Sequence, residues 1–267
     1  MRTVILVPAR FASSRYPGKP LVMLRSLDGV TKTLIQRTWE AAMAVRGVAA
    51  VYIATDDSRI CSVAEGFGAN VIMTSPFCEN GTARCADAVV RAGIEADLVV
   101  NVQGDAPLTP PWLVEALVEA AAADTDSDML TPVVRCDGET LAHFLADRRE
   151  GRVGGTTAVF DRNFRALYFS KEVLPFIGGE VADPIPVFQH VGLYGYRSTS
   201  LAAYGTFPPG PLEIREGLEQ LRFLENGMTV RCVPVSARGH VFWELNNPID
   251  LVRIESVLGT PVKEVTT

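Results

Sequence analysis

Apolar residues in the first half of the chain come as short continuous runs separated by longer mixed stretches. Val4–Val7, Val51–Ala54, Val71–Met73 and Leu98–Val102 are such runs, rich in β-branched side chains. Runs of this kind read as strands buried on both faces. Between and after them, Leu34–Ala44, Asp57–Phe67, Thr82–Ala92 and Pro111–Ala122 read as helices. The alternation predicts an α/β fold: a mostly parallel sheet flanked by helices on both faces, with a smaller C-terminal subdomain.

The second half is less regular. Thr157–Phe160 and Ala166–Phe169 can pair as strands, and Val191–Tyr196 reads as one more. Leu212–Glu225 is expected as a single helix, with Leu212, Leu218, Leu221 and Leu224 as its apolar stripe and Asn226-Gly227 as its stop. Thr229–Val235 then reads as a strand, and Pro248–Val257 as a last helix with Asn247 as its cap. Leu174–Val187, with its prolines and Gly178-Gly179, is the expected excursion or dimerisation arm. The whole of 1–267 is read as one domain.

Composition narrows the function. A net charge of −6, with 48% hydrophobic and 21% charged residues, fits a folded protein and argues against a nucleic-acid binder. Cys61, Cys78, Cys85, Cys136 and Cys232 are scattered with no Cys-x-x-Cys pair, so neither a disulfide framework nor a structural zinc site is expected. No run of about 20 apolar residues and no signal-peptide pattern occurs, so the expectation is a cytoplasmic protein without membrane insertion.

Against that acidic background, Arg10, Arg15 and Lys19 fall together in the loop after the first apolar run. Fixed cations at a strand end suit a polyphosphate, and an ordinary solvated loop has the same composition. Gln103-Gly104-Asp105 ends another buried run. A carboxylate there can hold Mg²⁺ against phosphate oxygens, or simply open a turn. Asn80-Gly81-Thr82 opens a helix, where Thr82 either faces a nucleotide or caps the helix. His190 precedes a strand, and Glu213, Glu216 and Gln220 have the spacing of one helix face. Such a set suits a polyhydroxylated ligand or a plain solvated surface.

Taken in order, the motifs resemble a known family. Pro-Ala-Arg-x-x-Ser-Ser-Arg-x-Pro-Gly-Lys-Pro-Leu (8–21), Ala-Thr-Asp-Asp (54–57), Asn-Gly-Thr-x-Arg (80–84) and Asn-Val-Gln-Gly-Asp-x-Pro-Leu (101–108) are similar to the 3-deoxy-manno-octulosonate cytidylyltransferases, the CMP-Kdo synthetases. The likeness continues through Ala-Leu-Tyr-Phe-Ser (166–170), His-Val-Gly-Leu-Tyr-Gly-Tyr-Arg (190–197) and Pro-Leu-Glu-x-x-Glu-x-Leu-Glu-Gln-Leu-Arg (211–222). It implies a nucleotide-diphospho-sugar transferase-like fold and a homodimer. It also implies transfer of CMP from CTP to a sugar acid with release of pyrophosphate, in the presence of Mg²⁺, within lipopolysaccharide biosynthesis. By position it implies that Arg10, Lys19 and Asp105 are catalytic. Ala9, Arg10, Ser14, Arg15, Lys19, Thr82 and Gln103 would bind the nucleotide, and Gln189, His190, Tyr194, Glu213, Glu216 and Gln220 the acceptor. Residues up to about 135 would then form the nucleotide-binding part, and about 136–267 the acceptor-binding and dimerisation part.

The departures are specific. Where the family reads Val-Asp-Thr-Pro-Glu-Asp, with that first Asp a second metal ligand beside Asp105, this chain reads Leu245-Asn246-Asn247-Pro248-Ile249-Asp250. An Asn246 carbonyl can bind Mg²⁺ but brings no charge. Ala83 replaces a usual acidic residue, Thr157 a common Lys, and Gln189 a common Lys or Arg. The last two remove positive charge from the acceptor side. They leave open a different acceptor, such as an 8-amino sugar acid, another hydroxy acid or a phosphonate. The Asn246 change leaves open a nucleotide-binding protein with weakened catalysis.

Overall fold

The computed structural model describes residues 1–12, 16–153, 155–179, 183–240, 244–245 and 247–258. The chain divides into two compact units, Met1–Glu115 with Ala237–Thr267, and Ala116–Ser236.

The first unit carries the alternation read from the apolar runs. In order come β1 (Thr3–Ala9), a 3-10 turn (Lys19–Leu21), β2 (Met23–Arg25), β3 (Thr31–Thr33), α1 (Leu34–Met43), β4 (Ala50–Thr55), α2 (Ser58–Gly66), β5 (Asn70–Met73), α3 (Gly81–Ala92) and β6 (Leu98–Val102). α4 (Pro111–Ala123) begins in this unit. The strands stand in the order β5-β4-β1-β6, and each neighbouring pair is parallel. β1 and β6 are buried at every residue, the polar Thr3 and Asn101 included, as strands covered on both faces are. Polar side chains open the helices: Thr33, Asp57 and Asn80 each accept a backbone N–H of the first turn of α1, α2 and α3.

The short β2–β3 hairpin was not visible in the apolar pattern. It is held by the returning C-terminal segment: Leu24 and Leu34 pack with Leu245, Ile254 and Leu258. The Arg25 N–H donates to Glu255 Oε1 at 2.7 Å, and the Leu27 N–H to the Leu258 carbonyl at 2.9 Å.

The second unit contains β7 (Met129–Arg135), α5 (Gly138–Arg149), β8 (Thr156–Phe160), β9 (Ala166–Ser170), β10 (Phe188–His190), β11 (Leu193–Arg197), α6 (Ser198–Tyr204), α7 (Pro211–Glu216), α8 (Leu221–Glu225) and β12 (Val230–Val235). Its pairings β11-β7-β10-β8-β9 are antiparallel, and β12 runs parallel to β7. α9 (Asp250–Glu255), in the first unit, is shorter than the expected Pro248–Val257.

One expected helix is divided in the structure. Leu212–Glu225 is two helices, not one. Gly217 takes the left-handed conformation (φ 63°) and ends α7, and Gln220 flanks the start of α8. Glu213, Glu216 and Gln220 therefore do not share one helix face. The expected Val191–Tyr196 strand is present as β11 and begins two residues later, at Leu193. β10 ends at His190 and β11 starts at Leu193, opposite Pro132 of β7. Pro132 has no N–H to continue the ladder, and its carbonyl instead accepts the Val191 N–H at 3.1 Å.

Candidate active site

β1 and β6 are parallel neighbours, so the loops leaving their C-terminal ends emerge on the same side of the sheet. One carries Arg10 and Lys19, the other Gln103 and Asp105. The Lys19 ammonium lies 2.5 Å from Asp105 Oδ2, with side chains 14% and 23% exposed. A charge pair this close at a partly open surface can exchange partners with an incoming ligand of either sign.

Several contacts hold this arrangement. The Gly18 N–H donates to the Phe11 carbonyl at 2.9 Å, tying the loop at its stem. Phe11 also lies under the Arg59 guanidinium, 3.3 Å from ring centroid to carbon. Gly104 sits so close to β1 that a β-carbon there would come within 2.5 Å of the Pro8 carbonyl oxygen. Only glycine lets the Gln103–Asp105 segment approach β1 this way. The Leu245 N–H donates to the Asp105 carbonyl at 2.8 Å, fixing the returning segment to the same place.

Ala9 ends β1 and is buried. Arg10 is exposed, with one nitrogen 3.5 Å from the Glu79 carbonyl. Thr82 is buried in the first turn of α3. The cap of that helix is Asn80, whose Oδ1 accepts the Ala83 N–H at 2.8 Å. Gln103 lies against Gly81 of the same turn, close enough that a β-carbon there would be 2.9 Å from its Oε1. The structure thus brings Arg10, Lys19, Thr82, Gln103 and Asp105 to one edge of the first unit. Ser14, Arg15 and Asn246 lie outside the described residues.

The second unit is built differently. Glu213 is buried and holds both oxygens to the Arg222 guanidinium, at 2.6 and 2.7 Å. Arg222 also stacks over the Tyr204 ring at 4.4 Å. Glu216 accepts from Ser170 Oγ at 2.7 Å and from the Lys171 N–H at 2.9 Å, which ties α7 to the end of β9. Gln220 is 1% exposed, and its Oε1 accepts from the Tyr194 hydroxyl at 3.3 Å. Its Nε2 has no hydrogen-bond partner among the described residues. A buried amide left in that state is a ready donor for a ligand oxygen.

His190 is buried between the Phe169 and Tyr194 rings, at 5.0 and 5.6 Å, and its Nε2 lies 2.8 Å from Thr131 Oγ1. Burial pushes its pKa down to about 3, so the ring stays neutral at physiological pH. It can exchange hydrogen bonds but does not supply positive charge.

Gln189 and Thr157, where the resemblance led to an expected cation, are cross-strand partners on β10 and β8. Thr157 is fully buried and its hydroxyl donates to the Glu172 carbonyl at 2.6 Å. A lysine would bring a charge into that contact. Arg222 and Thr131 were missed by sequence reasoning. Arg222 stands nine positions from Glu213, a spacing with no periodic meaning. Thr131 lies in Met129–Arg135, where Thr131-Pro132 inside an apolar run was the only signal.

The family model described as Cytidylyltransferase matches residues 4–230. The chain belongs to the cytidylyltransferase family. It is 43% identical over 258 residues to a 3-deoxy-manno-octulosonate cytidylyltransferase of Maricaulis maris (strain MCS10), covering 97% of both chains. It is 36% identical to an 8-amino-3,8-dideoxy-manno-octulosonate cytidylyltransferase of Shewanella sp. (strain W3-18-1), covering 97% of this chain and 99% of that one. Among solved structures, CMP:2-keto-3-deoxy-manno-octonic acid synthetase complexed with CTP superposes with a TM-score of 0.82 at 31% identity, covering 96% of this chain and 98% of that one. The cytidylyltransferase thus has the expected fold, a parallel sheet flanked by helices. Among the described residues no helix is long and apolar enough to cross a membrane.

Proposed function

We propose that this cytidylyltransferase transfers CMP from CTP to a 3-deoxy-manno-octulosonate-type sugar acid, releasing pyrophosphate. The observation that carries the reading is the Lys19–Asp105 pair at the ends of two parallel strands, 2.5 Å apart. Lys19 and Arg10 neutralise the triphosphate, and Gln103 and Thr82 flank the nucleoside. Phosphoryl-transfer catalysis is mostly positioning and charge stabilisation, and these residue types supply both. In the second unit, Gln220, Tyr194 and the neutral His190 offer hydrogen bonds to sugar hydroxyls.

Among the described residues no three His, Cys, Asp or Glu side chains gather into a metal cluster. The donor set nevertheless fits Mg²⁺, which takes one or two carboxylates and completes its shell with phosphate oxygens and water. Asp105 already faces a cation, the Lys19 ammonium. Asp105 would hold the ion, and when bound it would neutralise charge on the phosphates. We place the enzyme in the cytoplasm as a homodimer acting in lipopolysaccharide biosynthesis.

The test is product analysis by mass spectrometry. The protein is incubated with CTP, Mg²⁺ and, separately, Kdo, its 8-amino analogue and unrelated hydroxy acids. A CMP adduct with an octulosonate acid and stoichiometric pyrophosphate is expected, and both should be lost with a chelator. Adducts confined to unrelated acids would exclude the octulosonate reading. A mass of two chains in solution is expected by light scattering.

A further inference from the structure

Thr131 appears in no motif, yet its hydroxyl sits at a junction of three polar atoms. His190 Nε2 lies at 2.8 Å, the Leu193 carbonyl at 2.9 Å and the Val191 carbonyl at 3.3 Å. The hydroxyl has one proton. The carbonyls can only accept. If Nε2 carried a lone pair, three acceptors would compete for that proton in a buried place. If Nε2 carries the ring proton, it donates to Thr131 Oγ1, and the hydroxyl proton goes on to the Leu193 carbonyl. The second arrangement forms one more hydrogen bond among buried groups, where each unmade bond is costly.

We propose that Thr131 is a positioning residue that fixes His190 in the Nε2–H tautomer and so presents Nδ1 as a lone-pair acceptor to a hydroxyl of the acceptor substrate. This rests on the reading that His190 faces the acceptor. The Nε2–Thr131 contact is the ring's one hydrogen bond among the described residues. The local fold explains why the junction exists. Pro132 breaks the ladder next to Thr131, so β10 and β11 separate at Val191-Gly192 and turn the Val191 and Leu193 carbonyls onto the hydroxyl. The Phe169 and Tyr194 rings that flank the imidazole include one titratable group, the Tyr194 phenol. Burial keeps the ring uncharged, so the acceptor role of Nδ1 persists through neutral pH.

The chain has three histidines, so ¹⁵N-histidine labelling gives few signals, and a His190→Gln variant assigns the one concerned. The expected spectrum has a protonated Nε2 and a bare Nδ1, unchanged between pH 5 and 8 on this scale of titration. A proton on Nδ1, or a ring that titrates in that range, would overturn the proposal. Kinetics supply the second arm. Thr131→Val should raise KM for the sugar acid by roughly tenfold, the worth of about one buried hydrogen bond, with little change in KM for CTP. Thr131→Ser should restore it. An equal rise in both KM values, or no rescue by serine, would sink the positioning role. If the unaltered protein transfers CMP to no sugar acid, the functional reading fails instead, and the ring nitrogens still report whether Thr131 sets the tautomer.

Discussion

The Lys19–Asp105 region and the Glu213–Arg222 region both join opposite charges over 2.5 to 2.6 Å, and they have opposite characters. Lys19 and Asp105 stand partly open at a loop edge, 14% and 23% exposed. Glu213 and Arg222 are closed off, 9% and 5% exposed, with a ring stacked on the guanidinium. Under the proposed function, the first pair can give up its mutual contact to a triphosphate and a cation at modest cost, because each partner gains an opposite charge in exchange. The second cannot part without leaving a buried charge. Under the same reading, the open pair would keep its charges exchangeable with those of a ligand. The closed pair would stiffen the walls around the sugar acid, because internal pairing holds side chains in place.

The sharpest way to break this contrast is to remove one member of the buried pair. Arg222→Met keeps the apolar length of the side chain and strands the Glu213 carboxylate. The expected cost is about 3–5 kcal/mol of stability, read as a fall in Tm of roughly 10 °C for a chain of this size. The double variant Arg222→Met with Glu213→Gln should recover much of the loss, because no charge is then left buried. A single variant as stable as the parent would show that the pair is not closed off from water.

Asp105→Asn probes the open pair. It keeps the shape and removes the charge that faces Lys19 and would hold the metal ion. Stability should change by about 1–2 kcal/mol, between the values for exposed and buried pairs. The rate kcat should fall by about 10²- to 10³-fold, the scale of losing one preorganised charge-stabilising group. The two variants thus separate: one chiefly lowers Tm, the other chiefly kcat. If Asp105→Asn lowered Tm as much as Arg222→Met, the open pair would be structural, and its assignment to phosphate chemistry would be wrong.

The same contrast explains what was legible in the chain. Arg10, Gln103 and Asp105 stand directly after apolar runs, so strand periodicity brings them to one edge, and Lys19 reaches it from the 3-10 turn that follows the first loop. The parallel sheet of the first unit was readable for the same reason. The second unit depends on contacts between residues far apart in sequence, such as Thr131 with His190 and Glu216 with Ser170. No local period encodes those. The break at Gly217 was visible as a glycine, but the leucine stripe running through it outweighed one residue. The split between β10 and β11 was hidden because its cause, Pro132, lies on another strand.

The smallest expected effect concerns a carboxylate of the second unit that takes no part in the proposed chemistry. Burial alone would raise the Asp124 pKa. Hydrogen bonds from Ser127 Oγ at 2.6 Å and the Asp126 N–H at 2.9 Å, with Arg231 at 2.8 Å, outweigh it and hold the group down at about 2, against an ordinary 3.8. A depressed folded-state pKa means that the unfolded chain takes up a proton first as pH falls. The stabilisation is therefore complete above about pH 4, declines as the pH drops below the unfolded value, and is gone below about pH 2. Asp124→Asn should cost about 1–2 kcal/mol at pH 7 and flatten the acid limb of a stability-against-pH curve measured by urea unfolding. CMP transfer at neutral pH should stay within about twofold, as for a substitution that leaves the reacting groups in place. If Asp124→Asn instead changes KM for the sugar acid, the rigidity of this unit reaches the ligand through residues that never touch it. The open and closed regions would then differ less than their charge pairs suggest.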